Sequence, residues 1–314
     1  MIAYVIKRLL QVIPTTFGIL LLTFLLFHVV GGSPAQVILG KNATAEAIAA
    51  FDAKYGFDKP LFIGDGAWHD SQFFNYTTSL LRGDFGISTE HQRAVTEVLA
   101  DGVGASLSLT VPILVFGTLL GIGTALLCAA WRDRAPDRIV LVFSTVLMSV
   151  NYVVWVLAGQ FLFAYKAGAF PIWGYEGVGY LVLPVCIGIF SSLGRDIRFF
   201  RAAFLDEIYK PYVRTARAKG LSNTKVLLGH VLRNSRIPVL TYVSLSIPYL
   251  FTGSLLLESF FGIPGLGSIS INAINSSDMS VVRAVVMLGA MMYQAVQLIT
   301  DLCYAWLDPR IRLS

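Results

Sequence analysis

Charged side chains are scarce in this chain of 314 residues, of which only 14% are Asp, Glu, Lys or Arg. Soluble domains have about a quarter of their residues charged, so an ordinary soluble protein is excluded. The mean hydropathy is +0.68 and 55% of the residues are hydrophobic. The composition therefore indicates a membrane protein.

Cysteine is also rare, and the motifs of common enzymes are missing. Cys128, Cys186 and Cys303 all fall inside long apolar runs, so the sequence predicts no external disulfide framework. The sequence has no H-E-x-x-H zinc motif, no G-x-S-x-G nucleophile turn and no G-x-x-x-x-G-K-[ST] phosphate loop. We therefore expect no catalytic, cofactor-binding or metal-ligating residues, and no ATP hydrolysis by this chain.

What the sequence has instead is long uncharged runs. A helix crosses a bilayer with about 20 apolar residues, and six stretches have roughly that length with almost no charge. They are Leu9–Val30, the segments between Asp101 and Arg132, between Arg138 and Lys166, between Glu176 and Arg195 and between Arg236 and Glu258, and a run from Ala284 to about Leu307. The predicted fold class is an all-α membrane protein with six transmembrane helices.

The distribution of positive charge predicts the orientation, because Lys and Arg concentrate in cytoplasmic loops. If both termini are inside, 17 of the 24 Lys and Arg residues are cytoplasmic, ten of them between Arg195 and Arg236. The inverted topology would reverse this ratio, so both termini are predicted to be cytoplasmic. The net charge of +5 then faces anionic lipid headgroups and does not indicate nucleic-acid binding.

This topology divides the chain into three parts. Residues 1–30 form an N-terminal segment with the first span, residues 31–103 an outer segment, and residues 104–314 a core of five helices. Within the core lie an inner loop, 199–236, and an outer loop, 258–283. In the outer segment, TAEAIAAFDAKYG and SQFFNYTTSLL have helical spacing and predict a small folded cap.

The outer loop of the core, ESFFGIPGLGSISINAINSSDMSVVR, is unusually apolar for a loop in water. Irregular backbone at membrane depth is tolerated where it is buried in protein or lines a cavity. The loop is therefore predicted to fold back into the mouth of a cavity. Its candidate gate residues are Glu258, Phe261, Pro264, Gly265 and Gly267.

The inner loop contains a basic stretch, YVRTARAKGLSNTKVLLGHVLRN, with five Lys or Arg and no acid. Pro211 suits the first position of a helix, Gly220 the position just after a helix end, and Ser222 the cap of a second helix. A helix from Tyr212 to Lys219 is too short to be stable alone. It is predicted to rest either on anionic lipid or on a soluble partner.

Several segments, in order along the chain, carry a family resemblance. RTARAKGLS with the following HVLRN and IPVLT is similar to the cytoplasmic loop of binding-protein-dependent ABC importer permeases, in the dipeptide/oligopeptide/nickel branch. GFDKPL, GDFGIS, ESFFGIPGLG and DPRIR also resemble this family. Three positions depart from the family pattern, where Ser33 replaces an acidic residue and Asn151 and Ser280 replace prolines.

The resemblance implies the first permease subunit of a peptide importer in a bacterial inner membrane. Its inner loop would be a coupling loop that docks on a cytoplasmic ATPase. Two such ATPases would bind ATP and Mg²⁺, a second permease would complete the pore, and an external solute-binding protein would deliver cargo. The implied ATPase-docking residues are Tyr212, Val213, Ala216 and Gly220 for packing, with Arg214, Arg217 and Lys219 for pairing with the ATPase or headgroups.

The cargo and path stay open from sequence. Di- or oligopeptides are favoured, and nickel, glutathione or an antimicrobial peptide are the alternatives. Ser149, Asn151, Gln160 and Gln294 could line a passage, or could equally form interhelical hydrogen bonds. An ion-coupled carrier is a further alternative, for which Asp301 is the one intramembrane acid available.

Overall fold

The structure is a computed structural model that describes residues 2–30, 35, 39–40, 43–62, 70–252 and 254–307. Across these residues the regular secondary structure is helical, with a single isolated bridge between Ile87 and Ala94. The helices are α1 Ile2–Phe24, α2 Ala45–Tyr55, α3 Gln72–Leu81, α4 Val95–Ala130, α5 Ala135–Ser149, α6 Tyr152–Gly159, α7 Val178–Ile208, α8 Pro211–Ala218, α9 Asn223–Val226, α10 Arg236–Ser246, α11 Pro248–Thr252, α12 Leu255–Phe261, α13 Leu266–Asn275 and α14 Met279–Leu307. The all-α prediction is confirmed.

Three of these helices continue into π-helical turns: Leu25–Val30 follows α1, Gln160–Lys166 follows α6, and Leu227–Leu232 follows α9. Of the predicted residues, Ser33, Arg310 and Arg312 lie outside the described part of the chain.

Four stretches are long and apolar enough to cross a membrane by themselves. They are Arg8–Phe27, Val95–Ala130, Val178–Ile208 and Met279–Tyr304. Two further helix pairs qualify only together and are bent, Ala135–Ser149 with Tyr152–Lys166 by 93° and Arg236–Leu250 with Leu255–Phe261 by 47°. A protein with several membrane-spanning helices is therefore confirmed, and the number reaches six if each bent pair is one span.

The bend in the third predicted span was not expected from its uninterrupted apolar run. Asn151 caps the start of α6, where its side chain accepts a hydrogen bond of 2.9 Å from the backbone N–H of Val153. Across the bend, Trp155 donates its indole N–H to the carbonyl of Leu147 at 3.2 Å. A capped helix start replaces the continuous backbone ladder there, so the run forms two helices.

The long helices α4 and α7 pack along each other and form the scaffold of the core. At 1.5 Å per residue their 36 and 31 residues give lengths of roughly 54 and 46 Å, against about 30 Å of hydrocarbon. Both helices therefore project beyond the bilayer. α4 begins at Val95, within the predicted outer segment, and α7 ends at Ile208, within the predicted coupling loop.

The outer segment contains both short helices predicted from the sequence. The side chain of Thr44 caps α2, and that of Ser71 caps α3. Tyr76 of α3 donates its hydroxyl to Thr23 of α1 at 2.9 Å, and the Tyr76 ring also contacts Phe24. We call α2, α3 and the turn 84–92 the collar; it is attached to the first span.

Candidate functional site: the inner helix and the outer loop

The predicted helix, glycine turn and second helix of the inner loop are all present. Pro211 occupies the first position of α8, and the helix ends at Ala218. Gly220 has a φ of +80°. This left-handed conformation is unfavourable for any residue that has a side chain. Its N–H donates to the carbonyl of Arg217 at 2.9 Å. Ser222 precedes α9 in the capping position, although its side chain makes no capping bond.

α8 is fixed to this chain by its apolar face. Val213 is wholly buried and Ala216 is 5% exposed. Both belong to a cluster with residues of α4, of α7, and of α9 with the π-helical turn that follows it. The main partners on α7 are Phe200, Phe204 and Ile208. The expectation that Val213 and Ala216 pack against a partner is therefore corrected, because this chain already covers them.

The opposite face of α8 is exposed and cationic. Arg214, Arg217, Lys219 and Gly220 are all exposed, so four of the seven predicted docking residues are available to a partner. Tyr212 is only half exposed, and its hydroxyl donates to the carboxylate of Glu207. Burial, and then the Glu207 carboxylate, raise the pKa of Tyr212 to about 12, so it stays a neutral hydrogen-bond donor at physiological pH.

The second half of α7, which precedes α8, carries polar contacts that sequence reasoning missed. Arg201 binds Asp137 of α5 through two hydrogen bonds of 2.7 Å each, and only 1% of the Asp137 side chain is exposed. Asp196, also buried, accepts hydrogen bonds from Tyr242 of α10 and from Ser192. These contacts connect α7 to two neighbouring helices. The sequence did carry a signal for these contacts: Asp196 and Arg201 follow an apolar helical run, and charged residues in such a position are expected to have partners.

The outer loop folds back against the bundle around one buried carboxylate. Glu258 of α12 is wholly buried. It accepts hydrogen bonds from the Ser106 hydroxyl of α4 at 2.9 Å and from the backbone N–H groups of Ser254, Gly267 and Ser268 at 2.8, 2.7 and 3.1 Å. Four donors thus surround a charge that would otherwise be costly to bury.

Two glycines allow the loop to approach this carboxylate closely. A Cβ on Gly265 would lie 2.4 Å from Glu258 Oε2 and 2.5 Å from the Ser106 hydroxyl, and a Cβ on Gly267 would lie 2.8 Å from Glu258 Oε2. Phe261 is 2% exposed, whereas Pro264 is exposed at the tip. We call Glu258, Ser106, Gly265 and Gly267 the Glu258 cluster.

The four candidate path residues make contacts within this chain. The Ser149 hydroxyl donates to the carbonyl of Thr145, and Asn151 caps α6. Gln160 donates to the carbonyls of Ile172 and Phe260, both at 2.9 Å. Gln294 of α14 donates to the carbonyl of Val12 and the hydroxyl of Thr15 on α1. Gln160 and Gln294 therefore connect separate segments, and a role of these four residues in the path stays a prediction.

Asp301 likewise has a partner. It forms an ion pair of 3.2 Å with Arg8 of α1, and 11% of its side chain is exposed. The pair connects the first half of α1 with the end of α14. The pairing favours the interpretation of Asp301 as an acid paired near the membrane surface over that of a proton- or ion-coupling residue.

These features define a class of protein: a multi-helix membrane protein with an exposed cationic face on α8 and a loop folded back onto the bundle around Glu258. Residues 117–313 match the family described as binding-protein-dependent transport system inner membrane component. Residues 1–110 match the N-terminal region of such a membrane component. The chain belongs to this family of ABC importer permeases, in the dipeptide/oligopeptide/nickel branch, and is an inner-membrane protein.

Relatives match over the whole chain. The glutathione transport system permease protein GsiC of Shigella flexneri serotype 5b (strain 8401) is 34% identical over 315 residues, with 99% of each chain covered. GsiC of Salmonella typhimurium (strain LT2) is 34% identical over 312 residues, and GsiC of Escherichia coli (strain K12) is 33% identical over 314, both with 99% of each chain covered.

Proposed function

We propose that this chain forms half of the translocation path of an ATP-driven importer for short peptides, glutathione among them. A second permease subunit forms the other half, two ATPase subunits bind ATP and Mg²⁺ in the cytoplasm, and an external binding protein delivers the cargo. The chain has six spans with both termini inside. The glutathione cargo is proposed because the relatives named above are glutathione permeases.

The observation that carries the proposal is the two-faced packing of α8. Its buried face, Val213 and Ala216, is fixed to α4 and α7, so a displacement of α8 pushes directly on the scaffold helices. Its exposed face, with Arg214, Arg217 and Lys219, is left for an acidic groove of an ATPase. A short helix held in this way transmits force because packed interfaces shift as units.

The test is uptake of radiolabelled glutathione by cells that produce the complete transporter. Gly220→Pro removes the N–H that closes the turn, and a proline cannot adopt the positive φ at this position. Arg217→Glu reverses a charge on the exposed face. Both variants are expected to reduce uptake about tenfold or more and to lower recovery of the ATPase with the tagged permease, while the membrane content of the permease is unchanged.

Lys225→Glu is the matched control, since Lys225 is an exposed cation of the same loop that lies on α9 and not on α8. It is expected to retain uptake. Normal uptake by both Gly220→Pro and Arg217→Glu would contradict the docking role. Competition by unlabelled dipeptides and by Ni²⁺ then separates a peptide importer from a nickel importer.

A further inference from the structure

A pocket of about 620 Å³ lies between the collar and the outer end of α14. Its walls come from the ends of α2 and α3, the turn 84–92 and the first turns of α14. A volume of this size lies in the range of roughly 300–1,000 Å³ that is usual for small-molecule sites. The pocket is separate from the Glu258 cluster and from α8, so neither function described above explains it.

The pocket is lined by a cation, Arg283, for which the described part of the chain provides no ion-pair partner. The guanidinium of Arg283 lies 6.0 Å from the ring centroids of both Phe27 and Tyr76. Its Nε is buried and has no hydrogen-bond partner, and within the described part of the chain Arg283 makes no ion pair. Buried charges are normally paired or hydrogen-bonded. Arg283 is partly buried and lines the open cavity, so an anion bound there would supply the partner that its Nε lacks.

The rest of the lining restricts the kind of anion. Asp84 also lines the pocket and is exposed; one of its oxygens accepts the N–H of Gly86 at 2.9 Å. The exposed side chains of Asn75 and Ser79 add neutral donors and acceptors. A pocket with one cation and one anion suits a ligand that carries both charges. A phosphate group would gain from Arg283 but would be repelled by Asp84.

We propose that this pocket binds a short zwitterionic peptide, whose carboxylate pairs with the Arg283 guanidinium and whose ammonium group faces Asp84. Guanidinium and carboxylate form two parallel hydrogen bonds, the strongest common form of such a pair. The proposal rests on the proposed function, because it makes the pocket an outer holding site for the transporter's own cargo. The site lies on the permease and is additional to any site on the external binding protein.

The test is a binding titration of Ala-Ala-Ala by calorimetry, with the full chain in nanodiscs of phosphatidylcholine and without ATP. The wild-type chain is expected to bind the peptide, and C-terminal amidation to weaken binding by about tenfold or more, as for one lost charge-assisted hydrogen bond. N-terminal acetylation and Asp84→Asn are expected to weaken it as well. Arg283→Met should abolish measurable binding. Arg82→Met, at an exposed arginine of the outer segment that does not line the pocket, should not change it.

The unfolding temperature of Arg283→Met distinguishes a specific loss of peptide binding from a loss of folding. Arg283→Met removes a guanidinium whose Nε is buried without a hydrogen-bond partner and keeps an apolar side chain near the Phe27 and Tyr76 rings. The unfolding temperature of the ligand-free protein should therefore stay the same or rise. A fall in that temperature together with loss of binding would make Arg283 a structural residue and overturn the proposal. Equal binding of Ala-Ala-Ala and its amide would also overturn it, and so would displacement of the peptide by phosphatidylglycerol in the nanodisc, which would indicate a lipid site.

The two proposals fail separately. Docking of α8 is measured by uptake in Arg217→Glu cells, whereas the pocket is measured by binding in the absence of ATPase and ATP. Loss of peptide binding in Arg283→Met, with normal uptake in both Gly220→Pro and Arg217→Glu, would leave the pocket established and refute the docking role.

Discussion

At the scale of single residues, the Glu258 carboxylate is the most sharply defined feature of the outer loop. Its four donors belong to three parts of the chain: α4, the start of α12 and the start of α13. Glu258→Gln keeps the size of the side chain but replaces one acceptor oxygen with a donor that faces other donors. We expect a loss of about 2–3 kcal/mol of stability, measured by thermal unfolding of the purified protein. Glu176→Gln, at an exposed glutamate, should cost little.

Gly265 allows a second test on the same cluster. Gly265→Ala places a methyl group 2.4 Å from Glu258 Oε2, so the loop must move away from α4, at a cost of about 1–3 kcal/mol. Gly104→Ala is the control, because a Cβ there meets nothing within 4 Å and alanine favours the helix. If Gly265→Ala is as stable as Gly104→Ala and imports normally, close packing at this cluster is not required.

At the scale of elements, the sequence predicted the helix starts and turns best where a residue type has one strong local preference. Pro211 and Gly220 bound α8 as expected. The two outer segments with helical spacing form helices, and their caps, Thr44 and Ser71, were not predicted. Tertiary relations were harder to predict. The apolar residues of α8 share one face by spacing alone, but spacing does not say whether a partner or the chain itself covers that face.

The bent third span and the long α7 also show that tertiary contacts are harder to predict than local helix preferences. No charge interrupts the run around Asn151, so hydropathy treats it as one helix, although the capping side chain was a readable sign of a helix start. Arg195 ended the predicted fourth span because charges end hydropathy windows. The helix continues to Ile208 because Asp196 and Arg201 find partners on α10 and α5.

The anchoring of α8 can be tested as an element. Val213→Asp places an unpaired carboxylate in a wholly buried site and is expected to cost several kcal/mol, releasing α8 from α7. Limited proteolysis of the inner loop should then be faster. Thr215→Asp, on the exposed side of the same helix, should change stability by less than about 0.5 kcal/mol. Equal protease resistance of the two variants would contradict the packing of α8 against the bundle.

At the scale of the whole molecule, α1 and α14 are far apart in sequence but contact each other in the bundle. α1 contacts α14 through the Arg8–Asp301 ion pair and through Gln294, which bonds to Val12 and Thr15. The collar is attached to α1 near the other end of that helix, at Thr23. α8 packs against the end of α4 at Ala125 and Ala129, whereas the turn 84–92 of the collar directly precedes the start of α4, so the collar and α8 lie at opposite ends of this helix.

The orientation of this whole arrangement is a prediction from the bias of Lys and Arg towards one side, and it is directly measurable. In a variant with Cys128, Cys186 and Cys303 replaced by Ala, a single cysteine is introduced by Asp58→Cys in the collar region or by Thr224→Cys in the inner loop; both positions are exposed. A membrane-impermeant maleimide should label Asp58→Cys in intact cells with a permeabilised outer membrane, and Thr224→Cys only after the inner membrane is opened. The reverse pattern would invert the topology and place the cationic face of α8 outside, where no ATP-driven subunit could reach it.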